Sequence, residues 1–179
     1  VYMKQPWVRS LPSNASIGGQ KSKVGMKTER QISSGGVIFR RNSSSIPPLE
    51  KGGEGGIEVA LIAVKEGKVW CLPKGLRENG ETIARTAHRE VKEETGLDGK
   101  IIKLIDHIQY FYAHKEAEET KRVFKIVYFF LMEYTQGDVK NHDSEVNDCQ
   151  WFPIDDAIKT VEYKDEKEIL KKAKRMIAR

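Results

Sequence analysis

Three glutamates crowd into five positions of the segment REVKEETG, which runs from Arg89 to Gly96. Glu90, Glu93 and Glu94 are spaced by three and four residues, which on an α-helix places them on one face. Clustered carboxylate oxygens suit Mg²⁺ or Mn²⁺, and a divalent ion would offset the repulsion among them. A solvated charged face is the commoner explanation of a glutamate-rich helix, so the surrounding residues must decide between the two.

The elements that must position this cluster can be predicted from periodicity. An apolar stripe recurs at helical spacing beside the glutamates: Ile83, Ala84, Ala87 and Val91. The pattern predicts an amphipathic helix over 81–96 that ends at Gly96.

Strands and further helices are predicted on both sides of this helix. β-branched and aromatic runs predict strands at 33–41, 57–66, 69–72, 100–114, 122–134 and 149–154. Helices are predicted from Asp155 or Asp156 and over 164–179, and loops at 42–56, 73–80, 115–121 and 137–148. This order predicts an α/β fold, with a mixed sheet covered by helices on both faces.

Composition indicates one folded domain preceded by an extension. The chain has 179 residues, of which 39% are hydrophobic and 32% charged. Residues 1–31 show neither periodicity and are predicted to be a disordered basic extension, whereas 32–179 form the domain with a flexible inserted loop at 42–56. The extension has six basic residues and one acidic residue, so it accounts for the net charge of +5. The folded part is therefore neutral, and no clear nucleic-acid partner is predicted.

Apolar runs and cysteines bear on the cellular compartment. The longest apolar run, Ile126 to Met132, is too short to span a bilayer, and the N-terminal residues contain no apolar signal-peptide core. Cys71 and Cys149 sit in apolar or aromatic runs, which predicts two buried, reduced thiols. We therefore expect a cytoplasmic protein without a membrane partner. The oligomeric state is left open.

The segment from Gly75 to Leu97 resembles the signature of the Nudix hydrolases. That signature is Gly, five residues, Glu, seven residues, Arg-Glu, an aliphatic residue, any residue, Glu-Glu, any residue, Gly and an aliphatic residue. Every fixed position is filled, by Gly75, Glu81, Arg89, Glu90, Val91, Glu93, Glu94, Gly96 and Leu97. The resemblance extends to about 31–179 and implies a Nudix-type α/β/α sandwich.

The resemblance also implies a metal-dependent attack of water on a nucleoside polyphosphate. Glu90, Glu93 and Glu94, with the Gly75 carbonyl, match the family's ligands for Mg²⁺ or Mn²⁺. Glu81 and Arg89 match the groups that orient those carboxylates. The general base differs among members of the family, and it is either a helix glutamate or a glutamate of a later loop.

The candidate glutamate of that later loop is Glu145, six residues before Trp151. It lies at a spacing similar to that of a loop glutamate in the oxidised-nucleotide branch, where this glutamate meets the metals. Glu133, on a strand, is the fallback.

Three further segments bear on the substrate. Pro-Lys-Gly at 73–75 resembles the diadenosine-polyphosphate and diphosphoinositol-polyphosphate branches, and Lys74 would offer a mobile charge to phosphate. Tyr110 and Tyr112 share one strand face, and one of them is expected to stack on a base. Lys125 interrupts an apolar strand and points either to solvent or to phosphate. Arg40 has the same ambiguity, as do Arg41, His114 and Arg122, and for His114 and Arg122 placement at the surface, at strand ends, is favoured.

The leading expectation is asymmetric hydrolysis of diadenosine tetraphosphate to ATP and AMP, as in the bacterial enzymes of this branch. Other family activities stay open: hydrolysis of (d)NTPs, inositol pyrophosphates or RNA 5′ ends. A nucleotide-sensing module without catalysis is a further alternative. Such modules usually lose a signature glutamate, and this chain retains all of them. RNA binding through the basic extension is another.

Overall fold

The computed structural model describes residues 28–41, 56–116 and 119–178, with the backbone alone at 114–116, 119 and 120. Most of the predicted 1–31 extension and 42–56 loop therefore lies outside the described residues. Residues 28–31 are an exception, because they already belong to a strand. Regular structure thus starts before the predicted boundary at 32.

The helices and strands follow the predicted order with one addition. The strands are β1 (Thr28–Arg41), β2 (Ile57–Val64), β3 (Val69–Cys71), β4 (Lys74–Leu76), β5 (Leu97–Glu116), β6 (Glu119–Gly137) and β7 (Asp148–Pro153). The helices are α1 (Ile83–Thr95), α2 (Ile154–Thr160) and α3 (Lys164–Ile177), with a short 3-10 helix at Val139–Asn141.

The addition is β4, and it makes the predicted loop at 73–80 wrong at its start. β3 pairs with the end of β2, and after Leu72 and Pro73 the chain moves across to pair with β1, where Gly75 faces Ser34. A composition of Pro, Lys and Gly is typical of a loop. Here the segment becomes a strand because tertiary pairing with β1 satisfies its backbone.

The sheet is mixed, as predicted. In the described part of the chain it contains seven strands, in the order β3-β2-β1-β6-β5, with β7 beside β2 and β4 beside β1. β1 is antiparallel to β2 and β4. β1 runs parallel to β6. Ser34 Oγ donates to the Tyr128 carbonyl, and Gly36, two residues later, lies against Met132, so residue numbers rise in the same direction along both strands. A parallel neighbour of this kind is typical of α/β folds.

The sheet is buried on both faces. Successive residues of a strand point to opposite faces of the sheet, and in β2 the neighbours Leu61 and Ile62 are both buried. Ile62 belongs to the same core cluster as Ala87 and Val91 of α1. The apolar residues of α3, such as Leu170, are buried as well. The α/β fold expected from the sequence is confirmed.

The chain forms two compact units. The larger unit comprises Ser33–Ile108 and Val127–Arg179, and it contains all three helices. The described part of the smaller unit consists of 28–32 in β1, 109–116 in β5 and 119–126 in β6.

Two expectations about cysteines and membranes can be compared with the described residues. Cys71 and Cys149 are free and buried, as predicted, and burial raises the pKa of each thiol to about 12. No helix in the described ranges combines the length and apolar character needed to cross a membrane.

Candidate functional site

Local sequence fixes both ends of α1 and the direction of its acidic face. Oγ1 of Thr82 accepts a hydrogen bond from the Arg85 amide (3.2 Å), which caps the first turn. Gly96 ends the helix in the left-handed region with φ 70°. Ala87 and Val91 are buried against the sheet. The acidic face therefore lies beside β4, the strand with which α1 packs.

Glu94 is the most enclosed of the three signature glutamates. Its Oε2 accepts a hydrogen bond from the backbone amide of Lys74 at 2.7 Å. Burial raises the pKa of this carboxyl to about 8, and the neighbouring charges of Glu90 and Asp143 add to the effect. A nearby cation would favour the ionised form of this group.

Glu90 packs directly against the glycine that opens the signature. A Cβ atom on Gly75 would lie 1.9 Å from Oε2 of Glu90, so only glycine leaves room for this carboxylate. Burial raises the pKa of Glu90 to about 7, although Arg89 opposes the shift. Gly75 and Glu90 therefore form one packed unit between β4 and α1.

Arg89 ties the acidic face together. Its guanidinium donates through Nε to Oε1 of Glu81 (2.9 Å) and through Nη2 to Oε2 of Glu81 (3.0 Å), a two-point contact. Its Nη1 donates to Oε1 of Glu90 (2.7 Å) and Oε2 of Glu93 (3.0 Å). The hydrogen bonds from Arg89 lower the pKa of Glu81 to about 2. These contacts favour an orienting role for Glu81 and Arg89.

Replacing Arg89 with lysine tests this role. A lysine ammonium cannot reproduce the two-point contact with Glu81, so the free energy of unfolding is expected to fall by roughly 1.5–3 kcal/mol and turnover to fall with it. Urea denaturation and steady-state kinetics would measure the two effects. The matched control is Arg85→Lys at an exposed position of the same helix, which should change neither. Equal losses in the two variants would exclude a special role for Arg89.

The donor set around Gly75 suits a hard divalent ion, because it consists of carboxylate oxygens and a nearby backbone carbonyl. In the described residues, however, no three acidic, histidine or cysteine side chains converge as a ready-made metal site. The Arg89 guanidinium contacts both Glu90 and Glu93. The chemistry of the donors therefore fits Mg²⁺ or Mn²⁺, and joint ligation requires Glu93 to exchange its contact with Arg89 for the ion.

The loop before β7 is held against the end of α1. The amide of Asp143 donates to the Glu93 carbonyl (2.9 Å), and a Cβ on Gly96 would lie 2.4 Å from the Asp138 carbonyl. Glu145 is exposed on this loop, and its amide donates to Oδ1 of Asp143. Its role as general base stays a prediction. Glu133 is exposed on β6.

Lys74 differs from its prediction. Its side chain is 6% exposed, and Nζ lies 3.0 Å from Oε1 of Glu166 on α3. It also donates to the Leu72 carbonyl (3.0 Å). Burial alone would lower the pKa of Lys74, but Cys71, Glu166 and Glu94 raise it above its ordinary value. The expected mobility of this charge is wrong, because the ammonium is buried and ion-paired, and its contact with phosphate is untested.

Arg40 is already engaged within the sheet. Its Nε donates to Oε2 of Glu58 at 2.7 Å, and its guanidinium lies over the ring of Trp151, 4.3 Å from the ring centre. Arg41 donates to the Ile177 carbonyl at the end of α3. The predicted phosphate contact of Arg40 stays untested, and binding phosphate would compete with Glu58.

The remaining predicted substrate residues belong to the smaller unit, whereas the signature lies in the larger one. The rings of Tyr110 and Tyr112 lie side by side with centres 6.1 Å apart. Tyr112 is buried and donates to Oε1 of Gln31 (2.8 Å), so Tyr110 has the more accessible ring. Lys125 is half-buried on β6. Base stacking by one tyrosine and phosphate binding by Lys125 stay predictions.

The expected surface placement can be checked for Arg122 but not for His114. Arg122 is exposed, as expected, and lies over the ring of Phe111. The side chain of His114 lies outside the described residues.

Sequence reasoning missed two acidic residues near this site. Asp143 raises the pKa of Glu94 through its charge. The sequence feature that could have indicated Asp143 is its position two residues before Glu145 in the same loop. Glu166 is 1% exposed. The sequence feature that could have indicated Glu166 is its place on the apolar stripe of α3, which continues through Ile169 and Leu170.

Comparison with known proteins gives one family match over most of the chain. The model of the NUDIX domain matches residues 40–173. A bis(5'-nucleosyl)-tetraphosphatase [asymmetrical] from Sus scrofa is 30% identical over 141 residues, which cover 75% of this chain and 86% of that protein.

One further relative carries a different activity in its name. An 8-oxo-(d)GTP phosphatase from Mycolicibacterium smegmatis (strain ATCC 700084 / mc(2)155) is 30% identical over 150 residues, covering 82% of this chain but 42% of that protein. A Mycobacterium tuberculosis relative is likewise 30% identical, and the chain spans 66% of its length. The chain therefore matches only part of these two mycobacterial relatives.

A solved structure shares the fold. A crystal structure of an Ap4A hydrolase from C. elegans superimposes with a TM-score of 0.56 at 23% identity, over 83% of this chain and 98% of that chain.

Proposed function

The chain belongs to the Nudix family, and from this membership we propose that it is a metal-dependent hydrolase of nucleoside polyphosphates. The observation that carries the proposal is the contact between Gly75 and Glu90. The first glycine and the central glutamate of the signature form one packed unit, with the buried carboxyl of Glu94 on the same helix face. Burying carboxyls side by side is costly unless a cation offsets their charge.

In this proposal Glu90, Glu93 and Glu94 hold Mg²⁺ or Mn²⁺ together with the Gly75 carbonyl. A bound divalent ion activates water and neutralises phosphate oxygens. Arg89, fixed by Glu81, orients the carboxylate of Glu90. Arg89 and Glu81 thereby set the direction in which the carboxylate oxygens face the substrate.

The proposed reaction is attack by water on phosphorus, with cleavage of a bridging P–O bond. The proton of the attacking water passes to a general base, for which we propose Glu145, because its side chain is exposed on the loop held to α1. Glu133 is the fallback. Replacing each in turn with glutamine separates the two, because only loss of the base should lower kcat strongly while KM stays nearly unchanged.

The proposed substrate is diadenosine tetraphosphate, hydrolysed asymmetrically to ATP and AMP. The Sus scrofa relative, of which the chain covers 86%, supports this choice by its name. The second candidate is 8-oxo-(d)GTP, favoured by the name of the Mycolicibacterium smegmatis relative. Cytoplasmic location is proposed with it, since both kinds of nucleotide are intracellular metabolites.

A substrate panel tests the proposal. Purified protein with Mg²⁺ is incubated with diadenosine tetraphosphate, dGTP, 8-oxo-dGTP, an inositol pyrophosphate and triphosphorylated RNA, and the products are separated by chromatography. We expect the highest kcat/KM for the dinucleotide, with ATP and AMP as products.

The other outcomes are equally informative. A preference for 8-oxo-dGTP would overturn the substrate and keep the reaction class. Binding of nucleotides without hydrolysis of any compound would favour a sensing module and overturn the enzyme proposal.

A further inference from the structure

Glu166 on α3 is a buried charge beside loop 72–75, the short connection that leaves β3 and includes Lys74 and Gly75, the first two residues of β4. Its side chain is 1% exposed, and its Oε2 accepts a hydrogen bond from the Leu72 amide at 2.8 Å. Its Oε1 lies 3.0 Å from Nζ of Lys74 but receives no directed hydrogen bond among the described residues. The carboxylate thus holds the loop at two points, one a hydrogen bond and the other an ion pair.

The same short loop holds the signature glutamates from its other side. The Lys74 amide donates to Oε2 of Glu94 at 2.7 Å, and the Cα of Gly75 is packed against the carboxylate of Glu90. The Pro73 carbonyl accepts from the Gly36 amide at 3.2 Å. Segment 72–75 therefore connects a carboxylate of α3 to two carboxylates of α1.

Stability alone does not explain this pair. Two charged groups taken out of water repay their desolvation poorly, and apolar residues of similar size often serve a core equally well. An alternative arrangement of the backbone here would leave a buried charge without its partner, so the pair favours the arrangement that is observed.

We propose that Glu166 and Lys74 are positioning residues, whose ion pair sets loop 72–75 so that Glu94 and Glu90 face the metal. The effect on the metal rests on the proposed function, whereas the effect on the loop does not. Neither residue touches the substrate in this scheme. Both act through the Lys74 amide and the Cα of Gly75.

The test compares two variants with the wild-type protein. Lys74→Met combined with Glu166→Leu removes both charges and keeps the volume apolar. Glu166→Gln keeps an acceptor for the Leu72 amide. Hydrogen exchange, followed by mass spectrometry on the metal-free protein, reports on peptides that cover 70–76. Titration with Mn²⁺ then measures metal affinity.

In the double variant we expect faster exchange at 70–76, unchanged exchange in β2, and Mn²⁺ affinity lower by about 10- to 100-fold. Glu166→Gln should show smaller losses of the same kind, because its amide oxygen still accepts from the Leu72 amide but the ion pair with Lys74 is lost. If the double variant does not fold, Glu166→Gln alone carries the test, and unchanged exchange at 70–76 in that variant would overturn the role of the ion pair. The matched control is Asp106→Asn with Lys172→Met. These substitutions remove an ion pair that joins α3 to β5 without contacting the loop, and the control variant should behave as the wild type.

Unchanged exchange at 70–76 in a folded double variant would overturn the positioning role. Faster exchange with unchanged Mn²⁺ affinity would overturn the link from the loop to the metal. Failure of the wild-type protein to bind Mn²⁺ would instead overturn the proposed function, while the exchange result would still decide whether the pair sets the loop.

Discussion

Replacing Glu93 with glutamine is expected to lower turnover by more than about 100-fold, beyond the usual cost of losing an outer orienting group. An amide is a poorer ligand for a hard divalent ion than a carboxylate. The fold should be unaffected, because the Glu93 side chain is 49% exposed and its carboxylate is bound by Arg89 at the surface. Turnover at saturating Mg²⁺ and the midpoint of thermal unfolding measure the two effects.

The control for this variant is Glu168→Gln on α3, a similarly exposed glutamate that pairs with Lys171. It should leave turnover and unfolding unchanged. Glu94→Gln is expected to lower turnover to a comparable extent, and its amide oxygen can still accept from the Lys74 amide. Turnover that survives Glu93→Gln with its metal dependence intact would remove Glu93 from the site.

Replacing Gly75 with alanine should abolish measurable turnover, because the new methyl group would overlap the Glu90 carboxylate. The Cβ would lie 1.9 Å from Oε2 and 2.0 Å from Cδ of Glu90, far inside van der Waals contact. Either the carboxylate or β4 must move, and overpacking of this kind costs roughly 1–3 kcal/mol. Differential scanning calorimetry and Mn²⁺ titration would show the loss of stability and of metal affinity.

A second substitution tests the cause of this effect. Glu90→Ala removes the overlapping group, so Gly75→Ala combined with Glu90→Ala should be as stable as Glu90→Ala alone. A double variant with the full stability loss of Gly75→Ala would place the clash elsewhere. Non-additivity between the two positions is the expected signature of a direct contact.

Local sequence was sufficient to predict α1 and its acidic face. The helix depends on its apolar stripe, on the cap at Thr82 and on the left-handed Gly96, all within one segment. Helical spacing then determines which side chains share a face. The family match over 40–173 confirms the resemblance drawn from the same segment.

Long-range partners could not be predicted in this way. β4 is a strand because β1 accepts it at Ser33–Gly35, a pairing that the composition of Pro73–Leu76 gives no reason to expect. Local sequence predicts a mobile cation at Lys74, because its partner Glu166 lies 92 positions later in the chain, on α3. Such contacts depend on how elements pack rather than on local propensity.

The same separation has a consequence for how the protein is made. Glu166 follows Leu72 by 94 residues, so at about 5–20 residues per second it leaves the ribosome roughly 5–20 seconds later. For most of that interval, from the emergence of Glu94 onwards, the nascent chain carries every signature glutamate but lacks the carboxylate that holds loop 72–75. Completion of the proposed metal centre is thereby coupled to the docking of α3. A chain interrupted between α1 and α3 is expected to retain the whole signature and yet bind the ion weakly.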